Sequence, residues 1–290
     1  MNHKTCWLLY DGQDLAVNRD YAALMQKTGQ PYGLHIEAVT LQELTLGMNA
    51  AGQPTLLRSG ETIRPDAVLS RMRYDWVSEH LERMGIPVFN NSKVCRICND
   101  KRRTHLFLQG LPMAETVFQD GCFSMQDEPV AYPRILKPAD GHGGEAVQLI
   151  ESQTAWEEAY TGLQSSKPKP ALHQAVVSQP GRDLRVYVLF GRILAGVLRT
   201  AKAGVISNFK LGGSVALHEL TDAERLLAEA VIQRFEEAGA PLCMAGVDLL
   251  YSNSGPVVSE VEDVVGSRML YQVSDIDLVD LYLQGIAQRI

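Results

Sequence analysis

Three carboxylates near the C-terminal end of the chain have the types and spacing to bind a cation. Asp248 precedes the segment 252–256 (SNSGP), and Glu260 and Glu262 follow it. Apolar, mostly β-branched residues flank this turn-forming segment, so we predict two strands joined by a hairpin. If the hairpin is centred on Ser254, Asp248 lies opposite Glu260. Because side chains alternate between the faces of a strand, Glu262 then shares that face.

Three acids that converge with no basic partner nearby would repel one another. A hard divalent cation relieves this repulsion, and Mg²⁺ held by few carboxylates commonly brings nucleotide phosphates with it. The alternative is a polar sheet face exposed to water, since runs of charge are usually solvated.

A lysine and a glycine-rich loop lie together further upstream. Lys137 ends a predicted buried strand, and the loop 140–144 (DGHGG) follows it. Glycines let backbone N–H groups approach phosphates closely, and a lysine adds a point charge. This is not a Walker A motif, because the GK[ST] ending is missing. The loop is also compatible with a plain β-turn.

Cationic residues accompany two further segments. Charges alternate along residues 182–185 (RDLR), Arg199 lies at the end of the next predicted strand, and residues 207–213 (SNFKLGG) combine an amide, a cation and glycines. Singly, each arginine is more often a surface ion-pair partner. Together with the acids, they predict a cleft that balances a metal, phosphates and an anionic substrate.

Strands alternating with helices over about the first ninety residues predict a parallel α/β sheet. The predicted strands are 7–10, 32–39, 65–70 and 85–90, and the first predicted helix is 19–28. Arg71 and Tyr74 follow the third strand, whose C-terminal end faces a crevice in open α/β sheets, so we expect a substrate carboxylate there. A dinucleotide fingerprint is absent from the first strand–helix unit.

The rest of the chain has mixed α/β character. Predicted elements are a helix at 99–108, strands at 115–118, 133–138 and 146–150, a Pro/Lys linker at 167–170, and a helix at 221–238. We predict that strands 172–177, 184–190 and 193–200 join the hairpin in a mostly antiparallel sheet. A last helix after Asp275 is apolar enough to be core or a dimer surface.

Bulk properties narrow the function classes. The chain has 290 residues, 27 basic and 34 acidic, with a net charge of −7, which disfavours a nucleic-acid binder. No apolar run reaches the roughly 18–20 residues that a membrane helix needs. Five cysteines are an odd number for a disulfide framework, so we expect reduced thiols and a cytoplasmic protein. Cys95 and Cys98 are more readily explained as helix residues than as half of a zinc or redox site.

The order of these motifs resembles the ATP-grasp superfamily. The segments that show this resemblance are, in order, NDKRRTH with Lys101, LKPADGHGG, HQAVVSQPGRDLRVYV, LRT…SNFKLGG and GVDLL…SEVED. The chain is most similar to the branch of ribosomal-protein S6 glutamate ligases, LysX-type lysine-biosynthesis ligases and glutathione synthetases. The resemblance covers about residues 95–270. It implies an ATP-grasp fold with an N-terminal Rossmann-like pre-ATP-grasp domain (1–94), a small lid subdomain (95–170) and a C-terminal subdomain with the metal site (171–290).

The resemblance also implies roles for individual residues. The residues expected to bind ATP are Lys101 and Lys137 at the phosphates, Gly141, His142, Gly143 and Gly144 in the lid loop, Gln174, Ala175, Val176 and Val177 at the adenine, and Asp183 at the ribose. The expected catalytic residues are Arg199, Asn208 and Lys210, and the expected metal ligands are Asp248, Glu260 and Glu262. Substrate contacts are expected from Arg71, Tyr74, Gly212, Gly213 and Arg268, although Arg268 is as compatible with a structural ion pair. The family usually has asparagine where Glu262 stands.

The implied chemistry is phosphorylation of a substrate carboxylate by ATP, followed by attack of an amine on the acyl phosphate to give an amide, ADP and phosphate. The implied cofactors are ATP and Mg²⁺, with two ions and Mn²⁺ as a possible substitute. The expected partners are a small-molecule or peptide carboxylate and amine, such as an amino acid joined to an amino acid, a peptide or an acyl group on a carrier protein. A homo-oligomer is possible, and no nucleic acid or membrane partner is expected. The alternatives are a phosphotransferase that needs no amine and a non-enzymatic nucleotide-binding protein.

Overall fold

The computed structural model describes residues 3–119, 131–141, 146–163, 170–202 and 213–290. The N-terminal elements are β1 (Lys4–Tyr10), α1 (Gly12–Val17), α2 (Arg19–Gly29), β2 (Leu34–Thr40), β3 (Leu44–Met48), β4 (Pro54–Arg58), β5 (Glu61–Thr62), β6 (Ala67–Ser70), α3 (Asp75–Arg83), β7 (Val88–Phe89) and α4 (Ser92–Cys98). The middle elements are α5 (Lys101–Phe107), β8 (Thr116–Gln119), β9 (Arg134–Pro138), β10 (Gln148–Ile150), α6 (Gln153–Leu163) and β11 (Ala171–Ala175). The last elements are β12 (Arg182–Leu189), β13 (Arg192–Thr200), β14 (Ser214–His218), α7 (Asp222–Glu237), β15 (Met244–Ser252), β16 (Gly255–Glu262), α8 (Arg268–Val273) and α9 (Leu278–Ala287).

The predicted parallel sheet is present at the N-terminus. Its strands lie in the order β2-β1-β6-β7 and all three pairs are parallel. Buried side chains run through β1, as expected for a strand covered on both faces. A separate antiparallel sheet, β3-β4-β5, was not predicted. Its short strands are only partly buried and carry a weaker hydrophobic signal.

Two antiparallel sheets follow, in the orders β10-β9-β11-β8 and β14-β13-β12-β15-β16. The prediction that the strand after the Pro/Lys linker joins the C-terminal sheet is wrong. It is β11, which pairs with β9 and β8 through its buried residues. We therefore propose that the lid subdomain continues through Ala175 and does not end at Pro170.

The C-terminal hairpin has a tighter turn than predicted and an irregularity that compensates for it. Ser252 pairs with Gly255, so the turn is centred between residues 253 and 254. The register shifts between Asp248 and Leu249, because Leu249 pairs with Val258 and Asp248 with Glu260. This β-bulge at Ser259 restores the predicted pairing of Asp248 with Glu260, and it places Glu262 on the same face.

The chain's last helix packs back on its first domain. Leu278 and Leu283 of α9 are fully buried in the same hydrophobic cluster as Met25 of α2. Tyr32 donates a hydrogen bond to Asp280 at 2.8 Å. The helix is therefore core, the first of the two alternatives that its apolar sequence left open.

Candidate active site

The acidic cluster on β15 and β16 is accompanied by cations, so the expectation of acids without a basic partner is wrong. Asp248 is 2% exposed, and its carboxylate accepts hydrogen bonds from Arg185 Nε and Nη2 at 2.8 and 2.7 Å. Arg199 Nη2 donates to the same carboxylate at 2.7 Å. Burial acts to raise the pKa of Asp248, but Arg185 and Arg199 outweigh it and hold that pKa well below its usual range.

Strand register explains why these side chains meet. Arg185 of β12 lies directly opposite Asp248 of β15, and Asp183 lies opposite Arg199 of β13. Alternation puts Asp183 and Arg185 on one face of β12, so the four charges share a face of the sheet. We did not assign a role to Arg185 from the sequence. The signal was the two-residue spacing of charges in RDLR, but using it requires the cross-strand register.

The other two acids occupy the partly exposed rim of this cluster. Glu260 Oε2 lies 3.4 Å from Lys101 Nζ, and Glu262 Oε2 lies 2.5 Å from Arg185 Nη1. Burial acts to raise the pKa of Glu260, but Lys101 is the chief counter-effect and the pKa lies below its ordinary value. The pKa of Glu262 is raised, by burial first and by its acidic neighbours Asp248 and Glu260 despite Arg185. Glu262 therefore carries negative charge that its protein partners balance incompletely.

The two predicted phosphate lysines lie near this rim. Lys101, the first residue of α5, donates from Nζ to Gly141 O at 2.5 Å, and its backbone N–H donates to Ala139 O at 2.9 Å. Lys137 on β9 donates to Gln174 Oε1 at 3.0 Å. Burial lowers the pKa of Lys137 to about 8, while Glu260 acts in the opposite direction. The start of α5 thus connects the beginning of the glycine-rich loop to the carboxylates.

The remaining predicted ATP contacts have mixed placements. Gln174 is buried in β11, Ala175 ends that strand, and Val176 and Val177 form the partly buried segment that follows. Asp183 is paired with Arg199 Nε, so a ribose hydroxyl would have to compete with that arginine. The positions His142, Gly143, Gly144, Asn208, Lys210 and Gly212 lie outside the described residues.

The predicted substrate residues are not all in one place. Arg71 is 8% exposed and contacts the loop after Glu262. Tyr74 precedes α3 and is 46% exposed. Arg268 begins α8 as an exposed residue and makes no ion pair with another described residue. Gly213 lies against β13, where a Cβ would come within 2.7 Å of Thr200 O, so a larger residue would push this segment away.

The donor chemistry at the rim fits a hard divalent cation. Glu260 and Glu262 present carboxylate oxygens, with 36% and 35% of their side chains exposed, and Mg²⁺ typically takes one or two carboxylates together with phosphates and water. Among the described residues, no group of three or more His, Cys, Asp or Glu is arranged to hold a metal by itself. The three-carboxylate assignment stays a prediction, in which Asp248 would first have to release an arginine. Across the same parts of the chain, no helix is long and apolar enough to span a bilayer.

Solved structures identify the fold. A D-cycloserine synthetase superposes with a TM-score of 0.74 at 18% identity, covering 98% of this chain and 99% of that chain. The ATP-grasp ligase PsnB, complexed with a phosphomimetic variant of minimal precursor, Mg and ADP, superposes with a TM-score of 0.68 at 16% identity, covering 100% of both chains. The fold is therefore the predicted ATP-grasp fold.

Sequence comparison defines the family. The RimK-like ATP-grasp domain profile matches residues 120–286, so the chain belongs to that family. A probable alpha-L-glutamate ligase from Parasynechococcus marenigrum is 27% identical over an alignment of 277 residues, which covers 91% of this chain and 58% of that protein. Another from Xanthomonas oryzae pv. oryzae is 31% identical over an alignment of 240 residues, which covers 78% of this chain and 79% of that protein. The chain thus spans less than two thirds of the first of these relatives.

Proposed function

We propose that this protein is an ATP-dependent carboxylate–amine ligase, which joins an amino acid to an amino acid, a peptide or a carrier-bound acyl group. The observation that carries the proposal is the approach of Lys101 from α5 to Glu260 on the hairpin, at 3.4 Å, with Lys137 close enough for Glu260 to affect its pKa. Family membership supports the same chemistry. The names of its relatives make glutamate the first substrate to test.

The charges of the cluster indicate how the nucleotide would bind. Phosphate oxygens compete with carboxylates for cations, so the phosphates would take Lys101 and Lys137 from their protein partners. Glu260 would then be free to hold Mg²⁺ together with Glu262, which keeps Arg185 as its partner. The ion would supply electrostatic stabilisation of the transferred phosphoryl group. Arg199, beside Asp248, would stabilise charge developing on the acyl phosphate. ATP and Mg²⁺ are therefore the proposed cofactors, with the number of ions open to measurement, and the cytoplasm is the proposed location.

The reaction is tested by incubating the protein with ATP and Mg²⁺ and a panel of amino acids and short peptides. We expect phosphate release that depends on both a carboxylate and an amine, together with an amide product detected by mass spectrometry. Hydroxylamine in place of the amine should give a hydroxamate, because it traps an acyl phosphate. ADP release with a phosphorylated product and no need for amine would identify a phosphotransferase instead.

Site variants check that the activity belongs to this cluster. Lys137→Met and Glu260→Gln each remove one charge that the proposal requires, and we expect kcat to fall by about 100-fold or more in each. Glu61→Gln on the exposed strand β5 changes the same kind of side chain elsewhere and is expected to retain activity. Equal activity in Glu260→Gln and the unmodified protein would remove Glu260 from the mechanism.

A further inference from the structure

Arg71 is buried between the N-terminal sheet and the loop that follows Glu262, and its guanidinium is only partly satisfied. Nη2 donates to Val264 O at 3.3 Å and to Val265 O at 3.1 Å. Nε and Nη1 are buried with no hydrogen-bond partner among the described residues. Burying a donor without a partner costs about 1–3 kcal/mol, and more when the group is charged. Two such donors on one cation therefore point to an acceptor that the protein does not itself supply.

Two buried tyrosine hydroxyls lie beside this guanidinium. The Tyr21 hydroxyl has no hydrogen-bond partner in the described parts of the chain, and the Tyr10 hydroxyl interacts at most weakly with Arg71 itself. The Tyr21 ring centre lies 5.2 Å from the Arg71 guanidinium carbon. Burial raises the pKa of both tyrosines although Arg71 acts to lower it, so both hydroxyls stay protonated and can donate. Donors from three side chains thus converge on one region.

Asp263 and Glu262 are near enough to attract Arg71, but no carboxylate of the described residues forms a direct ion pair with it. Arg71 makes no ion pair with another described residue, and Asp263 instead accepts from Asn99 Nδ2 at 3.0 and 3.1 Å. The cavity that Arg71 lines with Asn90 and Asp263 measures about 10 Å³, which is the space of one water. A carboxylate is larger than that, so its binding requires the side chains around Arg71 to move apart.

The position of Arg71 along the site distinguishes it from the phosphate lysines. Lys101 contacts Glu260, Arg185 contacts Glu262, and Arg71 contacts residues 264 and 265. Arg71 therefore adjoins the segment that directly follows the predicted metal carboxylates along the chain, and it does not contact the phosphate lysines among the described residues. We infer that an anion at Arg71 belongs to the substrate and not to the nucleotide.

We propose that Arg71, Tyr10 and Tyr21 form the subsite for the carboxylate of the amine substrate. The amine substrate is then an amino acid or a peptide with a free carboxylate, and simple amines are poor substrates. This inference rests on the proposed ligase function, which it deepens by naming the chemical class of the amine substrate. Arg71 recognises the charge, and the two hydroxyls orient the carboxylate oxygens.

The test uses the same amine substrate with and without its carboxylate. Glutamate and its α-amide are compared first, and the best amino acid of the panel and its amide are compared in the same way. We expect the unmodified protein to favour the free acid by about 10-fold or more in kcat/KM. Arg71→Gln should lower kcat/KM for the acid by about 10–100-fold, as expected for hydrogen bonds to a charged group, and change that for the amide less than twofold. Tyr21→Phe keeps the ring and should lose about 3–10-fold on the acid alone.

Arg64→Gln is the matched control, because the exposed Arg64 also donates to two backbone carbonyls, Met84 O at 2.6 Å and Gly85 O at 2.9 Å. It should leave the preference for the acid unchanged. The proposal is overturned if the unmodified protein has equal kcat/KM values for the acid and the amide. It is also overturned if Arg71→Gln and Tyr21→Phe lower kcat/KM for the acid and for the amide to the same extent, as a purely structural role requires.

A binding measurement separates this inference from the ligase proposal. Glutamate without ATP should raise the melting temperature of the unmodified protein more than its α-amide does, and this difference should vanish in Arg71→Gln. If no amine supports phosphate release but the difference is present, the ligase proposal fails and the carboxylate subsite remains. If amide bonds form but glutamate and its α-amide raise the melting temperature equally, the assignment of the subsite is wrong.

Discussion

Arg185 shows how single charges in this site depend on one another. It is buried, makes two hydrogen bonds to Asp248 and lies 2.5 Å from Glu262. Burying a guanidinium is costly, and only close carboxylates make it tolerable. The arginine therefore sets the orientation of two carboxylates that we propose as metal ligands. We predict that it is a positioning residue, so its removal should lower the stability of the protein even without substrate.

Arg185→Met is expected to lower the free energy of unfolding by about 3–5 kcal/mol, because it leaves the buried carboxylate of Asp248 with less compensation. Urea denaturation at neutral pH, without nucleotide or metal, measures this. Arg83→Met is the control, since the ion pair of Arg83 with Glu79 is exposed and should contribute less than about 1 kcal/mol. Equal losses in the two variants would contradict the buried-pair argument.

At the scale of elements, the sequence pattern identified strands and helices more reliably than their partners. The hairpin, the helix at 221–238 and the strands at 184–190 and 193–200 are predicted and are confirmed as β15–β16, α7, β12 and β13. In the structure, a capping box of Thr221 and Glu224 starts α7, and a short turn joins β12 to β13. Local chemistry determines these features, because a turn or a cap involves neighbouring residues. The sheet to which β11 belongs was predicted wrongly. Sheet membership depends on distant residues, and a short buried strand such as ALHQA carries no signal for it.

The β11 strand provides a pH prediction. His173 is fully buried against the Trp156 ring, and burial, with Arg134, lowers its pKa to about 3. Above a pH of about 6.5 the histidine is neutral in both the folded and unfolded chain, but at lower pH only the unfolded chain gains a proton. The stability present at neutral pH is thus lost as the pH falls toward 3. Between pH 7 and pH 5 the loss due to His173 should be about 2 kcal/mol.

Urea denaturation at both pH values, on the unmodified protein and on His173→Gln, isolates this effect. The variant should lose about 2 kcal/mol less than the unmodified protein over that interval. The exposed His35 on β2 gives the matched control, because His35→Gln should keep the original pH dependence. If His173→Gln and His35→Gln behave alike, His173 does not stay neutral in the folded protein.

At the scale of the whole molecule, the N-terminal sheet and the C-terminal sheet are joined by buried polar contacts as well as by α9. Asn90, just after β7, donates from Nδ2 to Met244 O at 2.9 Å and to Asp263 O at 3.0 Å. Its Oδ1 accepts from Cys243 N–H at 2.6 Å. The sequence could not reveal this contact, since Asn90 precedes its partners by more than 150 positions and looks like an ordinary loop residue.

Asn90→Ala is expected to destabilise the whole protein by about 3 kcal/mol or more, because it leaves several buried backbone groups without partners. Asn49→Ala is the control. Asn49 also makes hydrogen bonds to the backbone, with Ala51 and Gln53 at 2.9 Å, but in an exposed turn, and its loss should cost about 1 kcal/mol. Urea unfolding followed by both fluorescence and circular dichroism measures this. A small loss confined to one probe would show that the two parts unfold separately.

The bulge at Ser259 makes the site sensitive to whether a change in chain length is odd or even. The turn at residues 253–254 is exposed at its tip, so it is an obvious place to insert a tag or a fluorescent reporter. An insertion confined to the tip leaves the ladder below it unchanged. One extra residue taken up within the ladder between Val258 and Glu260 instead turns both glutamates to the opposite face. Residues added to this hairpin should therefore lie between Ser252 and Gly255, and the spacing from Val258 to Glu262 should stay unchanged.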